Sequence, residues 1–227
     1  MKRSEINKQI DWAIEACKRL HFHLPQFAFW TPEEWKKREN ETEHMVSVAQ
    51  GWDVTDYGSG DFDKIGAVLF TLRNGNIYDN TKGTPYCEKM IAMKAGQLLP
   101  MHFHYSKTED IINRCGGTLC VTVYNSKSKE EGYALDLESD VHLRLDGIPV
   151  TIPAGGTVEI KNGDSITLFP YIYHKFCAKA EDGDLIVGEV SSINDDAKDN
   201  HFVEELNLTI EEDAPATHLL CGGYVQK

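Results

Sequence analysis

Apolar positions near the N-terminus recur at helical spacing. Ile6, Ile10, Ala13, Ile14 and Cys17 follow Ser4, a residue suited to cap a helix, and predict an amphipathic helix to about Leu20. A second helix is expected from Thr31, where Thr can cap, Pro32 fits the first helical position and Glu34 can complete a capping box. Its end is expected near Arg38. An aromatic segment, Phe22 to Trp30, separates the two.

From Lys64 onward the period drops from about 3.6 to 2. Strands are predicted from Ile65 to Leu72 with a turn at Asn74 and Gly75, and from Glu88 to Met93. Leu119, Val121 and Val123 alternate with Cys120, Thr122 and Tyr124; Val141, Leu143 and Leu145 run into Asp146 and Gly147. Val158 and Ile160 run into Asn162 and Gly163, Ile166 to Phe169 is short and apolar, and Leu185 to Val190 is a further strand. Short strands punctuated this way fold as an all-β sandwich or barrel. The chain reads as one domain: helices and aromatic segment over 1–60, barrel core over 61–193, and an acidic, less periodic tail over 194–227 expected to wrap back over the barrel. Lys127 to Glu131 and Lys36 to Arg38 read as solvated surface.

The stretch from Gly96 to Gly116 carries candidate chemistry. In an extended backbone His102 and His104 project to one face while Phe103 points to the other. Glu109, beyond a polar turn, is expected to open the returning strand and complete three ligands from one hairpin; His174, after Pro170, is a fourth candidate. A second His-x-His, His21 and His23, lacks a following carboxylate at hairpin spacing and is cut by Pro25, so it reads as surface or helix packing.

The spacing G-x5-H-x-H-x4-E-x6-G over Gly96 to Gly116 resembles the first metal-binding motif of the cupin barrels. Gly163 through Pro170 to His174 is similar to a shortened second motif, with Ile172 where the family has Gly and Ala178 where it has Asn. Segments Phe27 to Trp35, Gly51 to Phe62, Leu69 to Gly75, Tyr86 to Met90 and Asp195 to Glu205 resemble the D-lyxose isomerases, cupin-type aldose-ketose isomerases. The resemblance implies a jelly-roll-like antiparallel barrel with an N-terminal helical extension. It also implies a divalent metal on His102, His104, Glu109 and His174, acid-base roles for Glu204 and Lys107, and a homodimer.

Three imidazoles and one carboxylate leave a net positive centre around a divalent ion, with two adjacent octahedral positions for the C1 carbonyl and C2 hydroxyl of an aldose. Mn2+ suits such mixed ligands, with Zn2+, Fe2+ and Co2+ as alternatives. The expected reaction interconverts D-lyxose and D-xylulose, and D-mannose and D-fructose, through an enediol. Two rival readings are an Fe2+ dioxygenase and a non-catalytic sugar-binding cupin. Trp30, Phe29 and Tyr173 are candidates to stack on a sugar, and Asp199 and His201 to line the site.

Composition removes other classes. A formal charge of -13 argues against a nucleic-acid partner. No apolar run approaches the roughly 20 residues of a membrane span. Six cysteines without Cys-x-x-Cys spacing, together with a polar start, suit reduced thiols in the cytoplasm.

Overall fold

The period-two segments are realised as two curled antiparallel sheets that face each other as a half-barrel of cupin type. The computed structural model describes residues 1–204, 206 and 209–221. Its first helices are α1 (Arg3–Arg19), α2 (Pro32–Lys37) and α3 (Glu39–Ser47). The strands follow: β1 (Gly51–Thr55), β2 (Ala67–Gly75), β3 (Gly83–Met93), β4 (Leu98–His104), β5 (Glu109–Gly116), β6 (Leu119–Ser126) and β7 (Leu135–Asp136). Then come β8 (Val141–Leu145), β9 (Ile148–Ile152), β10 (Thr157–Ile160), β11 (Ser165–Leu168), β12 (Ile172–Ala178) and β13 (Leu185–Ser191), and finally α4 (Asp196–Asp199) and β14 (Asn200–Phe202). One sheet has the order β1-β2-β3-β13-β5-β11-β8-β9, the other β10-β6-β12-β4-β14, with β7 paired to β6.

Side-chain alternation gives the larger sheet two apolar faces. Leu69, Ile91, Val187 and Ile111 point into the barrel, where they meet Val121, Val123 and Phe176 of the other sheet. Trp52, Val68, Phe70, Met90, Ala92 and Ile186 point outward and are covered by Ile6, Ile10, Ala13 and Cys17 of α1. The helical extension is therefore a lid on the sheet's second face. Phe70 is fully buried in that layer between Phe27 and Trp52. Phe70→Ala is expected to cost about 3–5 kcal/mol, read from denaturant unfolding.

Several local expectations change. Ser4 lies inside α1 rather than capping it, with its backbone N–H and hydroxyl on the Asp213 carboxylate. The Thr31 capping box forms as expected, but a second short helix follows α2 at once. Asn74 and Gly75 do not turn the chain; β2 continues through them, and the Asn74 side chain ties Val48 and Asn194 together. Asp146 and Gly147 do form the β8-β9 turn, both with positive φ. In the tail, β14 pairs with β4, and Glu211 and Leu220 bridge to Lys2 and Trp52.

Candidate metal centre

His102 and His104 stand on the inward face of β4, and His174 lies directly opposite His102 on the neighbouring β12. Glu109 opens β5 as expected, but β5 does not return beside β4. It belongs to the other sheet, paired with β13 and β11, so the four-residue turn carries the chain across the barrel. The carboxylate thus approaches the imidazoles from the facing wall rather than from one hairpin. Gly116, which closes the spacing, has a φ of 98° and packs so closely on the Asp184 backbone that a side chain would collide with its carbonyl.

The ligand atoms converge. Those of His102, His104 and His174 lie within 4.8 Å of one another, all buried. Glu109 lies 3.2 Å from His174 Nε2 and 3.4 Å from His104 Nε2. The His102 Nδ1–H donates to the Pro100 carbonyl at 2.9 Å and the His174 Nδ1–H to that of Ile172 at 3.0 Å, which leaves each Nε2 as a lone pair. Those two Nε2 atoms face each other at 3.1 Å. Among the described residues, neither ring nitrogen of His104 nor the Oε1 atom of Glu109 has a hydrogen-bond partner. Buried, unpartnered lone pairs aimed at one point cost stability unless a cation collects them, so these residues fit a divalent metal.

Charge around the cluster keeps the ligands in metal-binding form. Burial holds His102 well below the usual imidazole range, and His174 and His104 add to this. Burial pushes the Glu109 carboxyl up, but Lys107 and the imidazoles outweigh it and hold it well below the usual carboxylate range. Lys107, on the turn between β4 and β5, reaches Glu109 Oε2 at 2.9 Å and Glu189 Oε1 at 2.8 Å. Burial opposes its charge, yet these two carboxylates raise its pKa above the usual lysine value. Lys89 sits 3.9 Å from Glu189 and 3.1 Å from Asp196.

All of these groups except His174 line one cavity of about 340 Å³, together with Asp53, Tyr57, Asn200 and Phe202. Its size suits a small molecule, and its lining a polar one.

Glu204 is not brought to this cavity: it lies exposed beyond β14 and outside the lining, and Glu205 falls outside the described residues. The buried carboxylate beside Lys107 is Glu189 of β13, which the sequence reading missed. Its signal was there, since a lone charged residue interrupts the apolar run Leu185 to Val190. Asp199 supports the ligand turn from outside, accepting from Ser106 N at 2.8 Å and Lys107 N at 3.1 Å. His201 and Tyr173 lie on the other face of the sheet, packed on Phe103. Trp30 packs against Phe27 and Trp35 away from the cavity, and Phe29, His21 and His23 are exposed.

Comparison with known proteins places the chain in a family. The family model for D-lyxose isomerase matches residues 1–224. The chain belongs to the D-lyxose isomerase family. Over 233 aligned residues it is 41% identical to a D-lyxose/D-mannose isomerase of Escherichia coli O157:H7, covering 100% of this chain and 99% of that one. It is 40% identical over 229 residues to a D-lyxose/D-mannose isomerase of Serratia proteamaculans, with the same coverage. Among solved structures, L-ribose isomerase of Acinetobacter sp. DL28 in complex with L-ribose shares the fold, with a TM-score of 0.55, 18% identity, and 93% and 98% of the two chains covered. The Cellulomonas parahominis L-ribose isomerase gives 0.55 at 16% identity over the same shares. The protein is a sugar isomerase of the aldose-ketose class. No helix among the described residues is long and apolar enough to cross a membrane.

Proposed function

We propose that this isomerase interconverts D-lyxose with D-xylulose and D-mannose with D-fructose, using a divalent metal, Mn2+ by preference, held by His102, His104, Glu109 and His174. The observation that carries the reading is the convergence of three imidazoles and a carboxylate, with unpartnered lone pairs, in one cavity with a buried carboxylate-lysine pair. When bound, the metal supplies a positive centre that polarises the oxygens on C1 and C2.

The chain supplies the proton chemistry. Glu189 is the proposed base that takes the C2 proton and returns it to C1 of the enediol, in place of the Glu204 suggested by resemblance. Lys107, an ammonium flanked by Glu109 and Glu189, orients the Glu189 carboxylate and balances the oxygens, giving a proton to O1 as the enediol forms and recovering one from the O2 hydroxyl as the ketose carbonyl forms. Asp196 and Lys89 balance charge on the far side of Glu189. Phe202, Leu99 and Phe176 give the cavity an apolar wall beside the imidazoles.

The deciding experiment follows product and oxygen together. Mn2+-loaded protein is expected to convert D-lyxose to D-xylulose and D-mannose to D-fructose without consuming oxygen. Oxygen uptake with carbon-chain cleavage would favour the dioxygenase, and sugar binding without turnover the non-catalytic cupin. The proposal includes a cytoplasmic homodimer, and light scattering is expected to give the mass of two chains; the mass of one chain would contradict its assembly part.

A further inference from the structure

The cavity has a second polar end that the metal and its acid-base pair do not use. Asp53 and Thr55 alternate on β1 with Trp52 and Val54; the latter two join the α1 layer, so Asp53 faces the barrel interior. Its carboxylate accepts one hydrogen bond among the described residues, from the adjacent Val54 N–H at 2.9 Å. The nearest cation on that wall, Lys89, is already engaged by Asp196 and Glu189. Burial pushes the Asp53 carboxyl up to about 6, and Asp196 adds to this. A carboxylate kept here without a protein partner costs stability.

Tyr57 stands beside it. Its φ is 53°, a left-handed conformation uncommon for a residue with a side chain, followed by Gly58 at 79°. The turn is held by Asp56, which accepts from Gly58 N–H at 3.0 Å and Gly60 N–H at 3.2 Å. The strained turn aims the Tyr57 ring into the cavity, and its hydroxyl makes no hydrogen bond to the described residues. An aromatic wall joins this end to the metal end: His102 stacks on Phe202 at 4.9 Å between ring centres, and Phe202 meets Tyr57 at 5.8 Å. The polar pair therefore lies two ring-to-ring steps from a metal ligand.

We infer that Asp53 and Tyr57 bind the sugar hydroxyls remote from C1 and C2, and that Asp53 selects the configuration at C4. The inference rests on the isomerase reading and extends it to substrate choice. A carboxylate accepts two neighbouring hydroxyl protons, while the phenol can donate or accept. D-Lyxose and D-mannose share the configuration at C2, C3 and C4. L-Ribose is the C4 epimer of D-lyxose, so this pair of pentoses presents identical groups to the metal end and differs only at the far end. A site built around hydrogen bonds rejects a substrate that leaves its polar groups unpaired.

The test compares wild-type and Asp53→Asn proteins, both Mn2+-loaded, on D-lyxose and L-ribose. The variant is expected to lose about 10- to 100-fold in kcat/KM on D-lyxose, the range for a hydrogen bond to a charged group. Its preference for D-lyxose over L-ribose should collapse, with Mn2+ affinity unchanged and a melting temperature equal to or above wild type. Tyr57→Phe should show the same trend more weakly. A kcat/KM and an epimer ratio both within twofold of wild type would overturn the inference. So would a fall in melting temperature or Mn2+ affinity that accounts for the loss, because Asp53 would then be structural. A wild-type protein that isomerises neither D-lyxose nor D-mannose would overturn the isomerase reading and this inference with it, an outcome distinct from an unaffected variant.

Discussion

Glu189→Gln is expected to lower kcat on D-lyxose about a thousandfold while the metal stays bound. Gln matches the shape of the side chain and can still meet Lys107, but it cannot carry a proton between C2 and C1 at neutral pH. General acid-base groups typically contribute 10²–10⁴-fold, which sets the magnitude. The substitution leaves Lys107 with Glu109 and Lys89 with Asp196, so both ammonium groups keep a counter-charge and the fold is expected to survive. Two measurements separate this account from a structural effect. Uptake of solvent deuterium into product and recovered substrate should vanish with activity, and metal titration should match wild type. Glu204→Gln, by contrast, should stay within about threefold of wild type, since that side chain is exposed and outside the cavity lining. If the two variants exchanged these phenotypes, the acid-base role would return to Glu204.

His174→Ala should abolish both activity at stoichiometric Mn2+ and the stability that the metal confers. In wild type, a ligand that binds only the folded state adds about 4 kcal/mol at a thousandfold excess over its Kd. Loss of one imidazole from the cluster should remove most of that increment, so wild type and variant should separate in melting temperature with Mn2+ and converge without it. The convergence has a local reason. The metal-free wild type holds two Nε2 lone pairs 3.1 Å apart, and removing one relieves that repulsion while opening a small cavity beside Phe176. A metal-dependent rise in melting temperature equal in both proteins would place the metal elsewhere.

Much of this site was legible before the structure because its signals are local. His102 and His104 share a face through strand alternation alone, and Glu109 begins its strand where the turn residues end. Asp146 and Gly147 turn the chain as their dipeptide predicts. What failed was non-local. Whether the turn after His104 folds back or crosses the barrel depends on sheet partners 53 to 82 residues away in sequence, and the registers of β5 with β13 and β11 decide it. Glu189 reaches Lys107 only through that crossing, so its role was invisible to spacing. Asn74 and Gly75 carry a strong turn dipeptide, yet bonds from Asn74 to Val48 and Asn194 hold it in the sheet. Tertiary context overrode local preference at both places.

The central claim, one metal in this cluster governing sugar isomerisation, is tested most directly by titration. Chelator-stripped protein is reloaded with increasing Mn2+, and bound metal and D-xylulose formation from D-lyxose are measured on the same samples. The account predicts negligible turnover in the stripped protein and activity that rises in proportion to occupancy, levelling at one ion per chain. Full activity in metal-free protein, or activity that does not follow occupancy, would contradict it.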